Sequence, residues 1–133
     1  PLCHLFARIL VISSAVMQLI EWFLNATGTI KGYSNAIYTG ITSSELVRVT
    51  NFIITRHEFL SGIINISSEP ISKHSLLKKL SSFLERDDLK IEEDSSFVCD
   101  RSLNGSNFTA VTGYKIPSWD NMLHELAEEI KRR

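Results

Sequence analysis

The sequence predicts a single α/β domain, and three observations carry that prediction. Four stretches place apolar side chains three and four residues apart, as a helix with one buried face requires. Between them lie shorter runs with β-prone or alternating residues, bounded by glycine, proline and aspartate. At 133 residues and 44% hydrophobic side chains, the chain has the length and apolar content to build one core. A domain of this size buries about two-thirds of its unfolded surface on folding.

The elements follow in order. Ser14 is placed to cap a helix running to about Ala26, with Val16, Leu19, Ile20, Phe23 and Leu24 on one face and Gly28 ending it. Thr29 to Tyr38 favours extended structure through Ile30, Tyr33, Ile37 and Tyr38. Gly32 and the Ser34-Asn35 pair predict a bend within it, hence one or two short strands. Thr42-Ser-Ser-Glu45 reads as a capping box, in which the Thr42 hydroxyl accepts from the Glu45 amide and the Glu45 carboxylate reaches back. A helix should begin at Ser43 and run to about His57, burying Leu46, Val47, Val49, Ile53 and Ile54.

Gly62 to Ser67 is short, apolar and bounded by glycine and proline, the pattern of a strand buried on both faces of a parallel sheet. Ser72 is placed to cap a helix through about Arg86, with Leu76, Leu77, Leu80, Phe83 and Leu84 inward and Lys73, Lys78 and Lys79 in solvent. Asp87-Asp88 marks a turn, and Leu89 to Glu92 alternates like a half-exposed edge strand. Asp94 to Ser118 has no sustained period and reads as a long ordered loop. Ser118 caps a last helix, Trp119 to about Lys131, with Trp119, Met122, Leu123, Leu126, Ala127 and Ile130 inward. Asp120 suits the positive end of its dipole and Lys131-Arg-Arg the negative end.

Charge and motif content exclude several functions. Fourteen basic and fifteen acidic residues leave a net charge of -1, so no global field attracts nucleic acid or an anionic membrane, and phosphate recognition has to be local. Two cysteines, Cys3 and Cys99, make neither a disulfide framework nor a four-cysteine zinc site, and the four histidines lack metal-site spacing. No metal is expected. The apolar stretch Leu2 to Leu24 is interrupted by Arg8, Gln18 and Glu21, so it is expected to be core and not a membrane span. Four asparagines (Asn25, Asn65, Asn104 and Asn107) stand in N-x-[S/T] sequons, which a serine-rich chain produces by chance. Glycine-rich dinucleotide loops, a Walker loop, H-E-x-x-H and G-x-S-x-G are all absent. No tyrosine has a lysine four residues on, so the phenol and ammonium pair that relays a proton in carbonyl reduction is missing. The chain carries no expected catalytic or cofactor-binding residues.

Five smaller patterns occur in a distinctive order: Leu19-Ile-Glu-Trp-Phe-Leu24, Gly32-Tyr-Ser-Asn-Ala-Ile-Tyr-Thr-Gly-Ile-Thr-Ser-Ser-Glu-Leu46, Gly62-Ile-Ile-Asn-Ile-Ser-Ser-Glu-Pro-Ile-Ser-Lys73, Cys99-Asp-Arg-Ser-Leu-Asn104 and Thr112-Gly-Tyr-Lys-Ile-Pro-Ser-Trp119. In that order they resemble the carboxyl-terminal part of dTDP-4-dehydrorhamnose reductase-like proteins of the extended short-chain dehydrogenase family. The resemblance runs from about Ser14 to the end, while residues 1–13 match poorly.

The resemblance implies the last sheet strands and the small substrate-binding lobe of such a reductase or epimerase, without its Rossmann nucleotide-binding half. It implies an intact parent that uses NAD(P)H on a 4-keto nucleotide sugar in the cytoplasm, and a fragment inactive alone. The implied partners are a nucleotide-diphosphate sugar and either the missing Rossmann half or a second copy of the chain, with no nucleic acid and no membrane. An alternative is a non-catalytic reductase-like protein, similar to the regulatory subunit of methionine adenosyltransferase, that binds a protein partner. Reductase and epimerase chemistry stay equally open.

Three residues are candidates for substrate binding. Arg101 matches a family segment whose arginine lies close to the nucleotide sugar, and a guanidinium fork suits a diphosphate. An ion pair with Asp100 or Asp94 is its alternative. Asn35 and Tyr38 match the strand and loop facing the substrate lobe, where they could hydrogen-bond a sugar hydroxyl or stack on a base. Turn and core roles compete with that reading. Thr42 and Glu45 match the start of the following helix, with Ile41 where the family often has proline, and capping accounts for both.

Overall fold

The computed structural model describes residues 19–56 and 60–133. The expected cap Ser14, the opening segment 1–13 and the predicted helix end at His57 lie outside them. Helix α1 covers 19–25. Strand β1 (Gly28–Tyr38), helix α2 (Ser43–Arg56), strand β2 (Ile71–Ser72), helix α3 (Lys73–Phe83), strand β3 (Leu89–Asp100), helix α4 (Ser106–Thr112) and helix α5 (Trp119–Lys131) follow. The architecture is α/β, as predicted.

The described strands form one sheet in the order β2-β1-β3, with β1 central. It is mixed: β1 pairs β3 in parallel from Gly28↔Leu89 to Ile37↔Asp100, and meets β2 antiparallel only at Ile37↔Ser72 and Tyr38↔Ile71. Helix α3 packs on β1 and against α5. Phe23, Val49, Leu77, Leu80, Phe108, Met122 and Leu123 are the largest apolar side chains wholly inside the core. The close approach of α3 to β1 depends on Gly32, where a Cβ would stand 2.8 Å from His74 Cδ2 and 2.9 Å from its Cα.

The helix starts follow the cap chemistry. The Ser72 hydroxyl accepts from the Ser75 amide at 3.1 Å, and the Ser118 hydroxyl from the Asn121 amide at 3.4 Å. The Thr42 hydroxyl accepts from the Glu45 amide at 3.4 Å, so α2 begins at Ser43 as expected. The reciprocal half of that capping box is absent, because the Glu45 carboxylate is drawn into the core by two other partners described below. Helix α3 ends at Phe83, three residues before the predicted Arg86, with Glu85 in the left-handed region at φ 54°.

Three expectations about the sheet are corrected. Where one or two short strands are expected over Thr29 to Tyr38, a single long strand of eleven residues runs from Gly28 to Tyr38. Gly62 to Ser67 is not a strand: the run is irregular and the Ile63 side chain is 78% exposed. Apolar content alone does not make a strand, since a ladder partner is needed. Here the adjoining polar groups bond to loops, with Ser67 Oγ donating to the Leu103 carbonyl and the Ser68 amide to the Thr39 carbonyl.

The third correction concerns Asp94 to Ser118, which is not a loop throughout, because β3 continues to Asp100 and α4 forms within it. Parallel pairing with β1 holds Asp94, and then Val98 to Asp100, in the sheet. The alternation is lost there because β3 bulges. Tyr33↔Asp94 and Asn35↔Val98 are consecutive pairings, separated by one residue on β1 (Ser34) and by three on β3 (Ser95, Ser96 and Phe97). Such a break erases the period-2 signal. Helix α4 buries only Phe108, too little for a visible 3.6 period.

Candidate substrate-binding edge

Arg101 leaves the carboxyl end of β3 with its amide donating to the Ile37 carbonyl at 3.0 Å, one residue from Tyr38. Parallel pairing therefore carries two of the three candidates, Tyr38 and Arg101, to one end of the sheet. Carboxyl ends of parallel strands are where ligands bind in open α/β sheets, because the connecting loops diverge there. The surrounding loops are knitted together. Thr39 Oγ1 accepts from the Leu103 amide at 2.8 Å, and Ser68 Oγ donates to the Gly40 carbonyl at 2.6 Å.

The Arg101 side chain is exposed. Neither carboxylate proposed as its ion-pair partner engages it. Asp100 is held below the usual carboxylate range by the Ser102 side chain and by the Ser102 amide, which donates to it at 2.8 Å. Asp94 accepts from the side chain and amide of Ser96 and pairs with Lys31 Nζ at 3.0 Å, which together pull its carboxyl down to about 2.

Asn35 sits apart from the other two. Its side-chain amide donates to the Ser95 carbonyl at 3.1 Å, across the β3 bulge, so part of its hydrogen-bonding capacity is used to pin the strand pair. Tyr38 is half-buried as the last residue of β1, opposite Ile71.

Two further constellations lay outside the sequence reading. Lys73 is not solvated as expected: its ammonium lies 4.7 Å from the Trp22 ring centroid and 5.2 Å from that of Tyr33, and burial lowers its pKa. Cation–π attraction offsets part of that desolvation. Lys73 directly follows the cap Ser72, and the first position of α3 faces β1 and α1 here, which helical periodicity alone does not disclose.

The second constellation centres on Glu45, whose side chain is fully buried. It accepts from the Tyr114 hydroxyl at 2.5 Å and from Arg48 Nε at 2.8 Å. Arg48 also forks onto both oxygens of Glu125 at 2.7 and 2.6 Å, joining α2 to α5. Nothing local in the sequence pairs residues 69 or 77 positions apart. Trp119, expected in the core, is buried there and donates its indole N–H to the Glu69 carbonyl at 2.7 Å. Among the described residues no three potential ligand side chains gather as a metal site, and no helix is long and apolar enough to cross a membrane.

No family model matches the sequence, and no curated protein does. Solved structures do match the fold. A dTDP-4-dehydrorhamnose reductase from Clostridium acetobutylicum superposes with a TM-score of 0.66 at 15% identity, over 87% of this chain and 43% of its own. The dTDP-4-dehydrorhamnose reductase from Bacillus anthracis, solved with NADP, gives 0.63 at 18% identity over 86% and 42%. This chain has the fold of part of a dTDP-4-dehydrorhamnose reductase. The protein designated RMD from Pseudomonas aeruginosa, solved with NADPH, matches at 0.60 and 16% identity over 92% and 42%. The chain thus spans a little over two-fifths of the length of these three proteins, in keeping with the carboxyl-terminal resemblance carried by the ordered motifs.

Proposed function

We propose that this chain is the nucleotide-sugar-binding part of an NAD(P)-dependent sugar-nucleotide reductase or epimerase of the dTDP-4-dehydrorhamnose reductase kind, inactive by itself. The observation that carries the reading is the carboxyl edge of the parallel β1–β3 pair. It holds Tyr38 beside Arg101, free of any carboxylate partner among the described residues, in a fold shared with those reductases. The Arg101 fork binds the diphosphate through charge-assisted hydrogen bonds. Tyr38 offers a ring edge and a hydroxyl to the base or sugar, and the remaining acceptor of Asn35 serves a sugar hydroxyl.

In the intact cytoplasmic parent, a bound nicotinamide supplies the hydride. The residues of this chain would hold and orient the keto sugar, which lowers the entropic part of the barrier. The chain associates with a Rossmann half or with a second copy of itself.

Calorimetric titration of the purified chain with dTDP- and UDP-sugars, alongside Arg101→Ala, tests the proposal. Binding that falls by about tenfold or more in the variant, as loss of a charged hydrogen bond implies, supports it. A natively folded chain that binds neither sugar counts against it. The exposed side chains of Val47, Ile63 and Val98 (68, 78 and 75%) favour a second reading, a reductase-like protein that binds a protein partner through apolar surface. Sedimentation distinguishes a self-associating chain from a stable monomer, and a stable monomer argues against the apolar surface as a self-contact.

A further inference from the structure

The far end of α2 carries a concavity. Helix α2 starts just beyond the carboxyl end of β1, and Asn51 to Arg56 lie about 14–21 Å along its axis from Thr42 at a rise of 1.5 Å per residue. Between that end and the loop after α4 lies a hollow of about 550 Å³, within the range of small-molecule sites. Phe52 and Tyr114 form its apolar wall, with ring centroids 4.9 Å apart. Tyr114 is held there because its hydroxyl is bonded to the buried Glu45, so the wall is preorganised.

The charge around this wall is one-sided. Arg56 and Lys115 line the hollow, and among the described residues no acidic side chain lines it and neither cation pairs with a carboxylate. The Arg56 guanidinium stands 5.8 Å from the Phe52 ring centroid, so the cation is set beside the aromatic surface. Asn51 adds an amide donor and acceptor to the rim. An anion would neutralise the two cations, a planar ring would cover the aromatic wall, and a polar ring edge would meet Asn51.

We propose that this hollow is a second binding site, separate from the carboxyl edge of β1 and β3, for a phosphate-bearing planar ring of the nucleoside monophosphate class. The phosphate lies between Arg56 and Lys115, and the base lies against Phe52 and Tyr114.

Titrating the full chain with UMP, with uridine and with inorganic phosphate tests this, with circular dichroism checking the fold of each variant. UMP binds more tightly than either half alone. Arg56→Ala and Lys115→Ala each weaken it by about tenfold, the size of one lost charge-assisted hydrogen bond. Three results overturn the proposal: no UMP binding by the folded chain, uridine binding as well as UMP, or UMP binding indifferent to both Arg56→Ala and Lys115→Ala. Binding lost in Arg101→Ala but kept in Arg56→Ala also overturns it, and places the nucleotide at the edge assigned to the sugar nucleotide.

Discussion

The Tyr114 hydroxyl donates to Glu45 Oε1 at 2.5 Å, and that contact ties the loop after α4 to the first turn of α2 across 69 residues of sequence. Glu45 is wholly buried, and its other oxygen takes the Arg48 Nε–H, so both oxygens are satisfied. A buried carboxylate that loses a donor bears the desolvation cost unrelieved. Tyr114→Phe should therefore destabilise the fold by about 1–3 kcal/mol, read as a lower urea midpoint with an unchanged slope.

The same contact has an alkaline signature. Burial, helped by the Glu45 bond, pushes the Tyr114 phenol from 10.0 up to about 12. The neutral phenol is thus favoured in the folded state, and its contribution is fully present below pH 10 and lost as the pH rises through 12. The stability difference between the native chain and Tyr114→Phe should shrink between pH 10 and 12. A difference that stays constant over that window would mean that the phenol titrates no differently in the folded state.

Asp94 has the opposite sign. Bonds from the Ser96 side chain and amide, then the Lys31 ion pair, pull its carboxyl from 3.8 to about 2. Its contribution is present above pH 3.8 and disappears as the pH falls toward 2. Asp94→Asn should flatten the acid limb of the stability profile in that range. Because Asp94 also holds the β3 bulge, faster amide exchange at Val98 and Cys99 should accompany it, since their pairing with Asn35 and Ala36 depends on the bulge.

Gly32→Ala should be harmful although glycine in a strand is usually the weaker choice. The added methyl meets the His74 backbone at 2.9 Å, and a backbone atom at the start of α3 cannot step aside alone. Forcing α3 outward costs about 1–3 kcal/mol, the typical penalty of overpacking. Thermal melts should show the loss, and an unchanged midpoint would mean that α3 shifts freely on β1.

Core and surface apolar residues should separate cleanly. Leu77 has no exposed area and sits in the central cluster, so Leu77→Ala should cost about 2–5 kcal/mol. Val47, expected in the same inward stripe as Val49, is 68% exposed, and Val47→Ser should change stability by less than about 0.5 kcal/mol. Denaturant titration of the two variants checks both.

Helix starts and polarity were legible locally, because a cap acts over three residues and an amphipathic stripe over two turns. Thr42, Ser72 and Ser118 each cap as their side chains dictate, and the stripe of α5 from Trp119 to Ala127 lies inward. The ordered motifs around Gly32, Gly62 and Thr112 carried the fold family, which composition and periodicity do not specify. The motifs around Gly32 and Cys99 also singled out Tyr38 and Arg101 as candidates, though not that β1 and β3 would bring them together.

Non-local partners decided the rest. Whether an apolar run becomes a strand depends on which backbone lies beside it. Leu89 to Asp100 extends because β1 offers a ladder, while Gly62 to Ser67 has none, and at its end the Ser67 hydroxyl and the adjoining Ser68 amide bond to the loops at Leu103 and Thr39. The fate of Glu45 follows the same rule, since a capping carboxylate becomes a core carboxylate once Tyr114 and Arg48 reach it. Lys73 likewise trades water for the rings of Trp22 and Tyr33 only after α1, β1 and α3 have packed. Each of these outcomes turns on desolvation and hydrogen-bond satisfaction between segments far apart in the chain, and those energies exist only after the tertiary structure has formed.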